Sequence, residues 1–146
     1  MRRFSFFLCL IGLLLVGCDS KPNLEPKKVH WDRDVCERCK MLLSDRRFSA
    51  QVVNPQNIRK YTFDDIGCVI LWFQEEKITW SDKAVIWVND AQSGEWINAR
   101  EAFYSVENIT PMAYGFGAHK SQQQVKAGEE VLDFAEVSRR VLKVGK

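Results

Sequence analysis

Hydrophobic and polar positions along this 146-residue chain change period several times, and each change predicts an element. "FSAQVV" (48–53) alternates and is β-branched, "NPQN" (54–57) is a cluster of turn formers, and "RKYTF" (59–63) alternates again, which predicts a hairpin. Ile66, Val69, Ile70 and Phe73 then recur at helical spacing, behind Asp64 or Asp65 as cap and ahead of the charged "QEEK". "AVIWVND" (84–90) is short, apolar and rich in β-formers, a central strand. "QSGE" turns the chain into "EWINA" (95–99). "AREAFYSVEN" (99–108) is Ala-rich at its start and strand-like at its end. "TPMAYGFGAHK" (110–120), with one Pro and two Gly, is expected to be a loop. "SQQQVKAG" (121–128) reads as a short helix closed by Gly128, "EVLDF" (130–134) as a strand, and "AEVSRRVLK" (135–143) as a terminal helix. Strands and helices in mixed order predict an α+β fold. A strand–helix–strand pattern before residue 90 is faintly echoed after residue 100.

The first residues follow a different rule. "MRRFSFFLCLIGLLLVGC" begins with two arginines and continues as an apolar run from Phe4 to Val16. As a helix that run reaches roughly 20 Å, short of the ~30 Å hydrocarbon core, so it describes an export signal and not a spanning helix. Its ending, Leu15-Val16-Gly17-Cys18, resembles the bacterial lipobox, which implies a signal peptide of residues 1–17 and a lipidated Cys18 at the new N-terminus. Asp19 resembles the inner-membrane retention signal of enteric-type lipoproteins. The expected location is therefore a bacterial membrane surface, facing the periplasm or cell exterior. "DSKPNLEPKK" is polar with two prolines and no apolar periodicity, so residues 18–28 read as a flexible tether and 29–146 as the folded domain.

Composition narrows the function classes. Without Arg2 and Arg3 the 21 basic residues fall to 19, equal to the 19 acidic ones. A neutral domain without a basic stripe is no nucleic-acid binder. No Ser/His/Asp set, paired carboxylate or phosphate-cradling glycine loop appears, so no enzyme is expected. The five tryptophans and nine phenylalanines are read as core material before a binding platform. Adjacent Asp64 and Asp65 read as helix capping.

The chemistry lies in sulfur. With Cys9 lost and Cys18 lipidated, Cys36, Cys39 and Cys68 remain as thiols, an odd number outside the cytoplasm. "CERCKM" (36–41) admits a disulfide or redox pair, half of a zinc site, or a seat for a softer metal. Lys40 stands where c-type haem attachment needs His. Zinc needs further ligands, and Cys68, His30 and His119 stand at no suggestive spacing. In an extended segment residues i and i+2 share a face, so Cys39 and Met41 would aim at one point while Cys36 closes from the preceding turn. Thiolate and thioether together select Cu(I). Met112, fixed behind Pro111, is a candidate for the opposite wall of that site. Cys68, between Gly67 and Val69, reads as a buried inert thiol, and His119 as a surface imidazole before a third, exchangeable ligand.

"CERCKM", "FSAQVV", "YTFDDIG", "VIWVND", "GEWINAREAFY" and "TPMAYGFGAH", in this order behind a lipobox, resemble the NosL family of nitrous oxide reductase accessory lipoproteins. The resemblance runs from Cys36 to about Phe134. It implies a fold of two small ββαβ-like units packed together and a membrane-anchored Cu(I) chaperone that serves assembly of the copper–sulfide centre of nitrous oxide reductase. The implied partners are that enzyme, a membrane copper exporter or other copper donor, and the bilayer through Cys18. The implied ligands are Cys36, Cys39, Met41 and Met112; which cysteine binds directly is left open. Two positions depart from the family pattern, Lys40 before the first methionine and Ala113 after the second, where Gly is usual. The alternative function is an exported thiol–disulfide exchange lipoprotein using Cys36 and Cys39.

Overall fold

The computed structural model describes residues 20–145; the lipobox, Cys18 and the signal segment lie outside the described residues. The "FSAQVV" and "RKYTF" runs form β1 (Ala50–Val53) and β2 (Lys60–Phe63), antiparallel with Ala50 opposite Phe63 and Val53 opposite Lys60. Asp65, not Asp64, is the N-cap of helix α1 (Ile66–Glu75), its carboxylate accepting the Gly67 N–H at 3.0 Å. Every residue from Ile66 to Trp72 is buried, which is why the helix is apolar around most of its circumference. β3 (Val85–Asn89) and β4 (Trp96–Asn98) complete a four-stranded sheet in the order β2-β1-β3-β4. The run read as a central strand is therefore interior, and "EWINA" is an edge.

Both faces of this sheet are covered. On one, Phe63 and Tyr61 meet Trp72 of α1, with ring centroids 5.3 and 4.8 Å apart, and Trp80 closes the aromatic layer. The aromatic residues here are core. On the other, fully buried Gln51 exchanges two 2.9 Å hydrogen bonds with the Lys27 backbone, and the Trp87 indole N–H donates to the Leu24 carbonyl. The polar, proline-containing stretch before the domain is thus fastened to the sheet at Leu24 and Lys27.

The second half departs from expectation in its details. β5 (Phe103–Ser105) pairs with β6 (Gly117–His119), so the end of the expected 110–120 loop is a buried strand. Small Gly117 and Ala118 allow this close pairing, and the Gly-rich composition hid it from a period-based reading. "EVLDF" contributes a single bridge, Leu132 to Tyr104, and "SQQQ" a 3-10 turn (Gln122–Gln124). Helix α2 (Phe134–Val144) starts on the Asp133 cap, ends on Gly145 with φ 38°, and buries Val137 and Val141 against α1. The α+β class holds. The first half is a ββαβ unit with one added strand, whereas the second places its third strand-like residue before its helix and none after.

Candidate metal centre

The chain from Val35 to Leu42 folds into a tight turn whose two arms are joined by the Val35–Leu42 bridge. The Cys36 N–H donates to the Met41 carbonyl at 2.8 Å, and the Lys40 N–H returns to the Cys36 carbonyl at 3.1 Å. This closure needs a left-handed residue, and Lys40 supplies it with φ 62°. The turn hangs on β2, where Glu37 N–H donates to the Thr62 carbonyl (2.8 Å) and the Thr62 hydroxyl to the Val35 carbonyl (3.0 Å). Two residues beyond Thr62 the chain reaches Asp64, and four residues after that Cys68, in the first turn of α1. The sulfurs of Cys36, Cys39 and Cys68 and a carboxylate oxygen of Asp64 consequently lie within 4.8 Å of one another.

This arrangement corrects two sequence readings. Left-handed Lys40 breaks the extended segment, so the i, i+2 rule does not apply: Cys39 sits in the turn and Met41 begins the return arm, half exposed at 50%. Cys68 is buried as expected, but it faces the other two thiols. No local signal marks it: Asp64 precedes the extended Asp65 cap, so its spacing to Cys68 is not a helical one, and the thiols meet only through the fold.

The protonation pattern is uneven. The Cys36 thiol is lowered to about 6, chiefly because the Cys68 thiol donates to it, with help from the Cys39 and Asp64 backbone amides and against the effect of burial. Burial pushes the Cys39 thiol up to about 12, against the Met41 amide that donates to its sulfur. Cys68 is pushed up as well, because its proton is held toward Cys36 and because it is buried. The pattern makes Cys36 the thiol that gives up its proton most easily and Cys39 and Cys68 the two that keep theirs. Asp64, 2% exposed, accepts from the Cys39 thiol at 3.3 Å and lies 3.4 Å from the Cys68 sulfur, whose one proton it shares with the Cys36 sulfur; no nitrogen or hydroxyl donor bonds its side chain among the described residues.

Two clamps hold the Met112 loop against α1 and the cysteine turn. The Met112 N–H donates to Asp65 at 3.4 Å, the carboxylate next to Asp64 in the chain. Arg38, between the two turn cysteines, makes a bidentate pair with Glu75 of α1 (2.7 and 2.9 Å) and donates to the Tyr114 hydroxyl at 3.3 Å. The Tyr114 ring in turn lies on Gly67, where a Cβ would stand 2.2 Å from it. The cysteine turn, α1 and the Met112 loop are thus fastened together, and Met112 packs partly buried against the core. Ala113, like Lys40, is left-handed, at φ 58°. The two positions where the resemblance expects Gly are two where the backbone requires a conformation that Gly adopts freely.

His119 is not a surface imidazole. It is 7% exposed on β6, with Nε2 2.9 Å from the Ser105 hydroxyl, and Nδ1 has no hydrogen-bond partner among the described residues. Burial lowers its pKa. It stands outside the group of three sulfurs and one carboxylate.

No family model matches the chain, and no curated protein matches it. A solved structure does: the crystal structure of the copper chaperone NosL from Shewanella denitrificans, with a TM-score of 0.61 and 16% identity, covering 77% of this chain and 96% of that one. The two chains share a fold.

Proposed function

We propose that this chain is a lipid-anchored Cu(I) carrier, held to the membrane through Cys18, which delivers copper for assembly of the copper–sulfide centre of nitrous oxide reductase. The observation that carries the reading is the convergence of Cys36, Cys39 and a third thiol beside an anchored Met112 loop, on the fold of a protein described as a copper chaperone. Copper is cargo, so the site has to release it. Cys36 offers the most readily deprotonated thiol, while Cys39 and the half-exposed Met41 lie nearer solvent, where an acceptor's ligands enter. Met112 contributes a thioether from the opposite wall. The lipid anchor raises the effective concentration of the carrier at a membrane copper exporter.

The thiol–disulfide exchange reading has one observation in its favour, the low pKa of Cys36. That sulfur is fully buried, however, and the more accessible Cys39 keeps its proton, the reverse of what an attacking thiol requires. A Cu(I) competition titration against a chromogenic chelator decides between them. Met112→Ala weakens Cu(I) binding by about tenfold on the carrier reading, with an unchanged circular dichroism spectrum. Because thiols lose protons on binding, Cu(I) affinity also falls as pH falls. Disulfide-substrate turnover by a Met112→Ala variant with unaltered Cu(I) affinity overturns the carrier.

A further inference from the structure

The stretch read as a flexible tether is laid across the sheet from Leu24 onward. The three side chains that hold it stand in one row, since Trp87 of β3, Gln51 of β1 and Thr62 of β2 are cross-strand partners. Trp87 donates to the Leu24 carbonyl at 2.9 Å, Gln51 bonds both backbone polar groups of Lys27, and Thr62 donates to the Val35 carbonyl at 3.0 Å. Direct partners in an antiparallel sheet share a face, and neighbours along a strand alternate. The row therefore lies on the face opposite Phe63, whose ring meets Trp72 of α1. Beyond Val35 the chain rounds the edge strand β2, and Cys36 joins Cys68 of α1 on the other face. One strap thus links the anchor side of the chain to the cysteine turn, with the sheet between it and α1.

We propose that the strap makes its own face of the sheet the membrane-facing side of the chain, seated on an anionic bilayer surface, and turns α1 and the cysteine cluster to solvent. The inference rests on the Cys18 lipid anchor of the reading above. Six residues lead from Cys18 to Leu24 and span roughly 20 Å at full extension. That leash is shorter than the ~30 Å width of a small domain, so the face that carries it stays nearest the lipid. The outer side of the strap is exposed and bears Lys21, Lys27 and Lys28, and Lys60 joins them on the same face through its pairing with Val53. Against these four ammonium groups stand Glu25, Asp34, which is 3.9 Å from Lys27, and Asp19 in the leash. The surplus is small, but acyl chains already hold the protein at the surface, and the lysines have only to choose which side meets it. The opposite side is worse suited. α1 ends in exposed Glu75 and Glu76, and Arg139 and Arg140 of α2 are paired with Glu136 and Glu130. Seated this way, the sulfur site opens toward soluble partners and away from lipid.

The test places the acylated full chain on vesicles of phosphatidylcholine and phosphatidylglycerol that carry a headgroup-linked photocrosslinker. Cross-links are mapped by mass spectrometry on the peptides that contain Lys60, Lys77 and Lys143. Lys60 is the reporter because the strap itself is close to lipid in any orientation, while Lys77 follows α1 and Lys143 belongs to α2. The expected result is labelling at Lys60 about fivefold above the other two. Reversing charge with Lys27→Glu and Lys28→Glu lowers this bias by about half or more. Releasing the strap with Gln51→Ala and Trp87→Phe brings the three positions to within about twofold, because the Lys27 backbone and the Leu24 carbonyl lose their partners. The two reversed lysines are exposed, so that variant keeps its fold even where the strap-releasing one does not. Equal labelling in the unaltered chain overturns the proposal, as does a bias that either variant leaves unchanged. The intact mass keeps the two readings apart. A chain without an acyl group overturns the anchor and the orientation together, whereas an acylated chain labelled evenly overturns the orientation alone.

Discussion

The molecule presents sulfur on two short segments that look alike in sequence and differ in how they are held. Each carries a methionine beside a left-handed non-glycine residue, Lys40 before Met41 and Ala113 after Met112. The cysteine turn is fixed from several directions: a bridge between its arms, a closing bond from Lys40 to Cys36, two bonds to Thr62, and the Arg38–Glu75 pair. The Met112 loop is tied through its flanks: Thr110 and the Met112 N–H to Asp65, Ala113 and Gly115 back to Thr110, Asn108 across to the Gly115 carbonyl, and Tyr114 to Arg38 and Gly67. Ile109 at its base is 94% exposed. One segment gathers its thiols directly, while among the described residues Met112 itself is tied by one long bond, 3.4 Å from its N–H to Asp65, which leaves its thioether more room to adjust. A carrier needs both, since a wholly rigid sulfur cage holds its cargo and a wholly mobile one does not select it.

The largest effect that separates them is on metal affinity. Cys36→Ser removes the most readily deprotonated of the gathered thiols and is expected to weaken Cu(I) binding by about a thousandfold, roughly 4 kcal/mol, against the tenfold of Met112→Ala. Chelator competition measures both. Equal losses at the two positions would mean that the segments contribute alike and that the contrast in rigidity has no functional content.

Why one segment was easier to read than the other follows from the same contrast. The helix start at Asp65, the β1–β2 hairpin and the interior position of β3 are written locally, in caps, turn formers and two-residue alternation. The convergence of Cys68 with Cys36 is not local. It depends on Thr62 holding the cysteine turn to the edge of β2, a contact between positions 27 residues apart. Asp64 and Asp65 look interchangeable as cap candidates in the sequence. Only the path of the backbone into α1 assigns one to the helix and the other to the thiols. β6 was hidden because Gly117 and Ala118 lack the β-branched signature, and His119 was misjudged with it.

The carboxyl that receives the Met112 N–H also makes stability depend on pH. Burial pushes the Asp65 carboxyl up to about 6, although the Gly67 and Met112 amides both favour its ionised form. A carboxyl whose folded pKa is raised above its unfolded value near 3.8 stabilises the fold fully below that value and loses the contribution as pH rises through about 6. The difference corresponds to about 3 kcal/mol across that window. Asp65→Asn is therefore expected to flatten the stability profile between pH 4 and 7, read from denaturant unfolding. His119, whose lowered pKa acts in the opposite sense, is common to both proteins and cancels in their difference. Parallel profiles for the two proteins would show that Asp65 does not titrate in this range.

A smaller effect is expected where the loop rests on the helix. Gly67→Ala drives a methyl group into the Tyr114 ring, where no room exists. The displacement costs about 2 kcal/mol of stability, in the range of overpacked cores, and it moves the loop together with the Tyr114 hydroxyl to which Arg38 of the cysteine turn donates. Tyr114→Ala removes the partner of the clash, so Gly67→Ala costs less in the Tyr114→Ala background than in the unaltered chain. Strict additivity would place the strain elsewhere.

The smallest and sharpest comparison replaces the two strained residues themselves. Left-handed backbone costs a non-glycine residue about 1–2 kcal/mol, and glycine gives back about 0.5–1 kcal/mol through the greater freedom of its unfolded chain. Lys40→Gly and Ala113→Gly are each expected to raise stability by about 0.5 kcal/mol in denaturant unfolding. The Lys40 ammonium is 68% exposed and 3.9 Å from Glu37, so little is lost with it. Their effects on copper diverge. At Lys40 the surrounding bonds fix the turn whatever residue stands there, and affinity stays as it was. At Ala113 the added freedom falls beside Met112, whose own backbone is tied by one 3.4 Å bond, so ordering Met112 on binding costs more and Cu(I) affinity drops about two- to threefold. Identical affinities in the two glycine variants would show that the Met112 loop is as rigid as the cysteine turn, and the division of labour between them would fail.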